Sequence, residues 1–160
     1  MHVEELDRLD PARCEEVLRT CCDAPRWAAR VAAARPFGTP EALRAAAAAE
    51  LVTTPEADVD TALAAHPRIG ERPAGESSRL EQAAVLAGDP QVLEELAAGN
   101  RRYEERFGHV YLVCASGRSA PELLSVLRAR LGNDPATERA VVRRELAAIT
   151  DLRLARLVAS

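Results

Sequence analysis

A chain of 160 residues with 48% hydrophobic and 29% charged side chains has the balance of a soluble globular protein, long enough to bury about two-thirds of its unfolded surface. With no run of 18 apolar residues, a membrane-spanning helix is excluded, as are a disordered tail and a collagen-like repeat. A net charge of −4 and only 3% aromatic residues argue against nucleic acid as a partner, because phosphates favour basic surfaces and bases need aromatic platforms.

Met1 to Glu5 is acidic and lacks the charged-then-apolar pattern of an export signal, and Leu157 to Ser160 carries no sorting address. Helices are then predicted from punctuation. Asp10-Pro11, Thr39-Pro40, Thr54-Pro55, Asp89-Pro90 and Asp134-Pro135 each place a capping side chain before a proline. That pairing suits an N-cap followed by the first helical position, where the missing N–H costs nothing. Ser78-Arg79-Leu80-Glu81 and Ser119-Ala120-Pro121-Glu122 read as capping boxes. Between these starts lie good helix formers, giving helices over 11–22, 26–34, 40–51, 55–65, 78–87, 90–106, 120–131 and 135–158. In the last, Val141, Val142, Leu146, Ile149, Leu152, Leu154 and Leu157 recur near the helical period. Only Val110 to Cys114 looks strand-like. Lacking a partner, it is expected as a buried extended connector. The expectation is an all-α fold, a single compact domain over 1–160 with about eight helices.

Residues 66–77 hold two prolines and two glycines and are expected as a long loop, either a solvated connector or a functional segment. Chemistry is narrowed by an absence. All 21 basic residues are arginine, so no lysine can form a Schiff base with substrate or pyridoxal phosphate, or carry biotin. Cys14, Cys21, Cys22 and Cys114 show no CxxC or zinc spacing and read as reduced thiols of a cytoplasmic protein. No HxxxH, HxH or HExxH spacing supports a metal.

His66 closes a predicted helix before Pro67. It is either a partner of the helix dipole or an imidazole aimed into a cleft for proton transfer. Ser78 and Glu81 are either a helix cap or part of an anion or carbonyl site, with the Gln82 amide beside them. Arg153 is either solvated, or ion-paired with Asp151 or Glu145, or a bidentate clamp on a carboxylate or planar carbonyl. Cys114, among apolar neighbours, reads as a buried structural thiol before a nucleophile.

Several segments in order resemble one family. They are Leu18 to Cys22 with Trp27, Ala34 to Phe37, Ala65-His66-Pro67-Arg68-Ile69-Gly70 and Ser78-Arg79-Leu80-Glu81-Gln82. After these come Asn100 with Tyr103, Arg106-Phe107-Gly108, Tyr111 to Ser119, Arg130 to Asp134 and Ile149 to Leu154. Over most of the chain the pattern resembles the 2-oxo-4-hydroxy-4-carboxy-5-ureidoimidazoline (OHCU) decarboxylases of urate catabolism. One departure is Val110, where the family often has proline.

The resemblance implies an all-α, cofactor-free and metal-free enzyme, commonly a homodimer, that converts OHCU to (S)-allantoin and carbon dioxide. It places the catalytic histidine at His66 and the active-site glutamate at Glu81. Substrate contacts fall on Pro67, on Ser78, Arg79, Leu80 and Gln82, on Tyr111, Leu112, Val113, Cys114 and Ala115, and on Arg153. Two alternatives differ in kind: a non-catalytic helical module binding other purine-catabolic enzymes, and a hydrolase of a cyclic ureide.

Overall fold

A computed structural model describes residues 1–159 and contains ten helices and no strand among them. They are α1 (Val3–Arg8), α2 (Pro11–Arg19), α3 (Pro25–Ala33), α4 (Pro40–Val52), α5 (Glu56–Ala64), α6 (Glu76–Glu81), α7 (Ala83–Leu86), α8 (Pro90–Phe107), α9 (Ala120–Arg130) and α10 (Pro135–Leu157). The all-α class is as expected. The connector at 110–115 forms no helix or strand and is buried apart from a half-buried Val110 and Cys114, and no strand pairs with it among the described residues.

Capping side chains next to the helix bond at five of the ten helix starts. Asp10 accepts from the Arg13 amide at 3.0 Å, Thr39 from Ala42 at 3.2 Å, Asp89 from Gln91 at 2.8 Å and Asp134 from Thr137 at 2.9 Å. Ser119 accepts from Glu122 at 3.4 Å. Two other starts are capped differently. In α1 the Glu5 carboxylate accepts from the His2 amide at 2.6 Å. In α3 the N-cap is Ala24, and the cap comes from Asp58, whose Oδ2 accepts from the Arg26 amide at 2.9 Å.

The helix expected over 78–87 is instead two. α6 begins at Glu76 with Gly75 as its N-cap, so Ser78 is the third helical residue and Glu81 the last. The expected capping box at 78–81 therefore does not form. Gln82 (φ −97°, ψ 7°) interrupts the run before α7, and its side chain is turned onto the preceding loop, as described below.

The described residues fall into two compact units, Met1–Ala62 with the chain from Leu146 onward, and Leu63–Glu145. In the first, Trp27 is fully buried between helices, and its indole N–H donates to the Ala47 carbonyl at 2.9 Å. Arg35 gathers the carbonyls of Ala32 (2.9 Å), Leu6 (3.1 Å) and Leu9 (2.6 Å). Asp7 accepts from the Phe37 and Gly38 amides, each at 3.0 Å. These bonds order a turn that lacks its own regular hydrogen bonding.

In the second unit α8 packs closely on α9. A Cβ on Gly99 would lie 2.6 Å from Leu127 Cδ2, so this mid-helix glycine, which costs about 1 kcal/mol in propensity, admits the close approach. The core is Val85, Leu96, Tyr103, Tyr111, Leu123 and Leu127. A charged pair lies within it. Glu138 is fully buried and Arg130 nearly so, and Arg130 Nε donates to Glu138 Oε1 at 2.8 Å. Tyr103 donates its hydroxyl to the same oxygen at 2.5 Å, and Asn133 Nδ2 donates to Oε2 at 3.0 Å. Burial opposes the Arg130 charge, but the bond to Glu138 and its charge outweigh it and hold the pKa above the ordinary arginine value.

Candidate active site

The second unit contains every expected site residue except Arg153. Three segments of it matter. The first follows α5, where the chain turns at His66 with the His66 amide donating to Leu63 O at 3.1 Å. His66 and Pro67 are both half-buried. Proline holds its predecessor out of the helical region, so the chain leaves α5 here in an extended direction.

Beyond Pro67, three successive residues are held. Arg68 makes a two-point ion pair with Glu104 on α8, Nε–Oε1 2.7 Å and Nη2–Oε2 3.2 Å. The Ile69 carbonyl accepts from Asn100 Nδ2 at 2.8 Å. The Gly70 amide donates to Gln82 Oε1 at 2.9 Å, while Gln82 Nε2 donates to Arg68 O at 3.4 Å. Gly70 has φ +88°, a conformation in which a side chain would be strained. The beginning of the long loop is thus fixed to α8 and to the α6–α7 junction.

The second segment is α6 with Gln82. Glu81 is 7% exposed, deep for a carboxylate, and it engages other groups. Ser78 is half-buried, its carbonyl accepting from the Gln82 amide at 3.0 Å. Arg79 and Leu80 are exposed, Leu80 by 59%. With the capping box absent, helix capping no longer accounts for Ser78 and Glu81.

The third segment is the connector. The Tyr111 hydroxyl donates to Leu123 O at 3.0 Å, and Arg130 Nη1 donates to Leu112 O at 2.5 Å. The Arg130 guanidinium also lies 4.9 Å from the centre of the Tyr111 ring. Arg130, itself held by Glu138, therefore fixes the connector by one carbonyl and one ring face. Burial raises the Cys114 thiol pKa; the charges of Glu145 and Glu81 add to that, and the Ser116 amide and Arg118 oppose it. The effect of Glu81 on Cys114 ties the end of α6 electrostatically to the connector. A thiol with a raised pKa is a poor nucleophile.

Arg153 belongs to the first unit. It is half-buried on α10, and its charge acts on the Cys22 thiol. That thiol is nevertheless pushed up to about 11, chiefly by burial, with Thr150 and Arg153 opposing. Asp151, one of the two pairing partners considered for Arg153, is gripped at two points by Arg44, Nε–Oδ1 2.7 Å and Nη2–Oδ2 2.6 Å.

Among the described residues no group of three His, Cys, Asp or Glu side chains could hold a metal, and no helix is long and apolar enough to cross a membrane. Sequence reasoning gave no role to Arg130, Glu138, Tyr103, Asn100 or Glu104. Four of these look like ordinary solvent-facing or core helix residues in the sequence. Asn100, Tyr103 and Arg130 lie in the segments that carry the family resemblance, which was the signal available for them.

A family model described as OHCU decarboxylase matches residues 7–155. The uric acid degradation bifunctional protein TTL of Arabidopsis thaliana is 30% identical over 151 residues, 89% of this chain and 47% of that protein. The chain thus spans about half the length of that relative. The 2-oxo-4-hydroxy-4-carboxy-5-ureidoimidazoline decarboxylase of Amia calva is 31% identical over 140 residues, 81% of this chain and 78% of that protein. A crystal structure of OHCU decarboxylase in the presence of (S)-allantoin matches with a TM-score of 0.82 at 30% identity, covering 91% of this chain and 99% of that one.

Proposed function

The chain belongs to the OHCU decarboxylase family, and from that premise we propose that it decarboxylates OHCU to (S)-allantoin in urate degradation, without a cofactor. One observation carries the reading beyond the family match. A half-buried histidine on a fixed loop, a buried glutamate and a buried segment outside any helix or sheet belong to the same compact unit.

The reaction breaks the bond between the ring carbon and its carboxylate. Carbon dioxide leaves, and the electron pair enters the adjacent ring C=N, so the substrate supplies its own electron sink. The ring nitrogen takes up a proton, the hydroxyl on the decarboxylated carbon gives up its proton to become the carbonyl, and a proton is added to the neighbouring ureido-bearing carbon. His66 is assigned that transfer, to one face of the carbanion-like intermediate, which yields one enantiomer. Glu81 is assigned the orientation of the reacting carbon, through His66 or the substrate hydroxyl, and the tuning of proton affinity. Tyr111 to Ala115 offer backbone donors and acceptors to the ring and ureido groups, with Pro67, Ser78, Arg79, Leu80 and Gln82 as further contacts. Gln82 already binds the loop backbone through both ends of its amide, so its contact would use the second N–H. Arg153 is assigned the bidentate grip on the substrate's planar polar groups. The active form is proposed to be a cytoplasmic homodimer.

The test makes the unstable substrate in place from urate with urate oxidase and hydroxyisourate hydrolase, and follows circular dichroism after this protein is added. The expected result is faster substrate loss with an optically active product. A trace matching spontaneous decay, which gives racemic allantoin and no signal, would refute the proposal.

A further inference from the structure

The fixed loop behind Pro67 depends on residues that lie outside the proposed catalytic and binding set. Asn100 and Glu104 are one helical turn apart on α8, an 18-residue helix. Positions i and i+4 share a face. From this face Asn100 holds the Ile69 carbonyl at 2.8 Å and Glu104 holds Arg68 at two points. Asn100 is 2% exposed, and its donor goes to the loop rather than to its own helix. The Arg68 and Glu104 side chains are 50% and 28% exposed, and ion pairs so exposed add little to stability. What the pair does fix is the place of the loop. His66 is tied to α5 on one side by its amide, and on the other side only Pro67 separates it from the held stretch.

We propose that Asn100 and Glu104 are positioning residues for His66, setting where the imidazole stands by anchoring residues 68 and 69 to α8. The proposal rests on the reading of His66 as the proton-transfer group. Proton transfer needs the imidazole within hydrogen-bond reach of the reacting carbon, and displacements near 1 Å can cost about a hundredfold. Losing one anchor of several should therefore lower kcat by about tenfold while leaving substrate affinity in place, because neither residue is assigned a substrate contact.

The experiment has two arms on the full chain. In the first, kcat and KM for the conversion of OHCU to optically active allantoin are measured for Asn100→Ala, Glu104→Gln, Arg68→Glu and the exchanged pair Arg68→Glu with Glu104→Arg. The expected result is a fall in kcat of about tenfold in each single variant, KM within about twofold, an unchanged melting temperature for the two exposed positions, and recovery of most of the loss in the exchanged pair. The second arm uses no activity. The chain has three histidines, so imidazole NMR signals are few, and the His66 signal is identified by its loss in His66→Gln. It should be a single sharp signal in the wild type and should shift or broaden in Glu104→Gln and Asn100→Ala.

An unmoved His66 signal in both variants overturns the proposal, as does an unchanged kcat or a change confined to KM. Absence of allantoin formation by the wild type would instead defeat the reading of the reaction, and the NMR arm would still decide whether α8 holds His66. Asn100 is buried and its variant could fail to fold. Glu104→Gln lies at the surface and keeps the test open.

Discussion

Replacing Glu138 by alanine leaves the Arg130 guanidinium in the core of the second unit without its counter-charge. Glu138 is fully buried, and its Oε1 receives both Arg130 Nε at 2.8 Å and the Tyr103 hydroxyl at 2.5 Å. Breaking one side of such a pair costs about 3–5 kcal/mol, and an orphaned buried hydroxyl adds about 1–3 kcal/mol. The two losses share one acceptor and do not add in full, so about 4 kcal/mol is expected. For a chain of this length that corresponds to a fall of about 12 °C in Tm, a large share of the roughly 5–15 kcal/mol that a domain has. Urea and thermal unfolding followed by far-ultraviolet circular dichroism measure it. Removing both charges, with Arg130→Met and Glu138→Leu together, should recover more than half of the loss, because well-packed apolar groups replace a buried ion pair at little cost. Activity should separate from stability. Arg130 donates to the Leu112 carbonyl, so the double variant regains stability but not the fixed connector, and turnover stays low. A single variant within about 1 kcal/mol of wild type would refute the reasoning, as would a double variant no more stable than the single one.

The cysteines give a second expectation. Cys14, Cys21 and Cys22 are buried, and the Cys22 thiol stands at about 11. At pH 8, the half-buried Cys114 should be the first thiol to label in the native protein, slowly because its own pKa is raised, and all four should label after unfolding, as counted by mass spectrometry. For the surface pair, the Arg44 hydrogen bond and charge hold the Asp151 carboxyl below the usual carboxylate range, against a smaller opposing effect of burial. A depressed carboxylate stabilises the fold above its unfolded pKa, near 4, and that contribution is lost as pH falls through the lower folded value. Arg44→Met should therefore lower the urea-unfolding midpoint only slightly at pH 7, since both partners are substantially exposed. The difference from wild type should vanish as pH falls below the usual carboxylate range.

Helix starts were legible in the sequence because a cap is local. Asp10, Thr39, Asp89, Ser119 and Asp134 each bond an amide two or three residues ahead. The cap on α3 comes from Asp58, 32 residues after Arg26, and no local pattern announces it. Ser78-x-x-Glu81 has the spacing of a capping box, yet α6 starts two residues earlier because the Gly75 carbonyl accepts the first turn's bond from the Arg79 amide. The connector was legible as a buried segment without a partner strand from its apolar, isolated run. What fixes it was not, since Arg130 and Glu138 read as two more charges in a chain where 29% of residues are charged. The same holds for the candidate site. His66, Glu81 and the connector could be singled out by residue type and by resemblance. The hold of Asn100, Glu104 and Gln82 on residues 68–70 is a matter of tertiary placement.

The most direct test of His66 as the proton-transfer group compares the wild type with His66→Gln on substrate generated in place. Circular dichroism reads enantiomer formation, and absorbance reads substrate loss. The account predicts a loss of at least about a hundredfold in the enzymatic rate, racemic product from the remaining spontaneous decay, and an unchanged far-ultraviolet spectrum. A His66→Gln protein that still produced one enantiomer at the wild-type rate would contradict it.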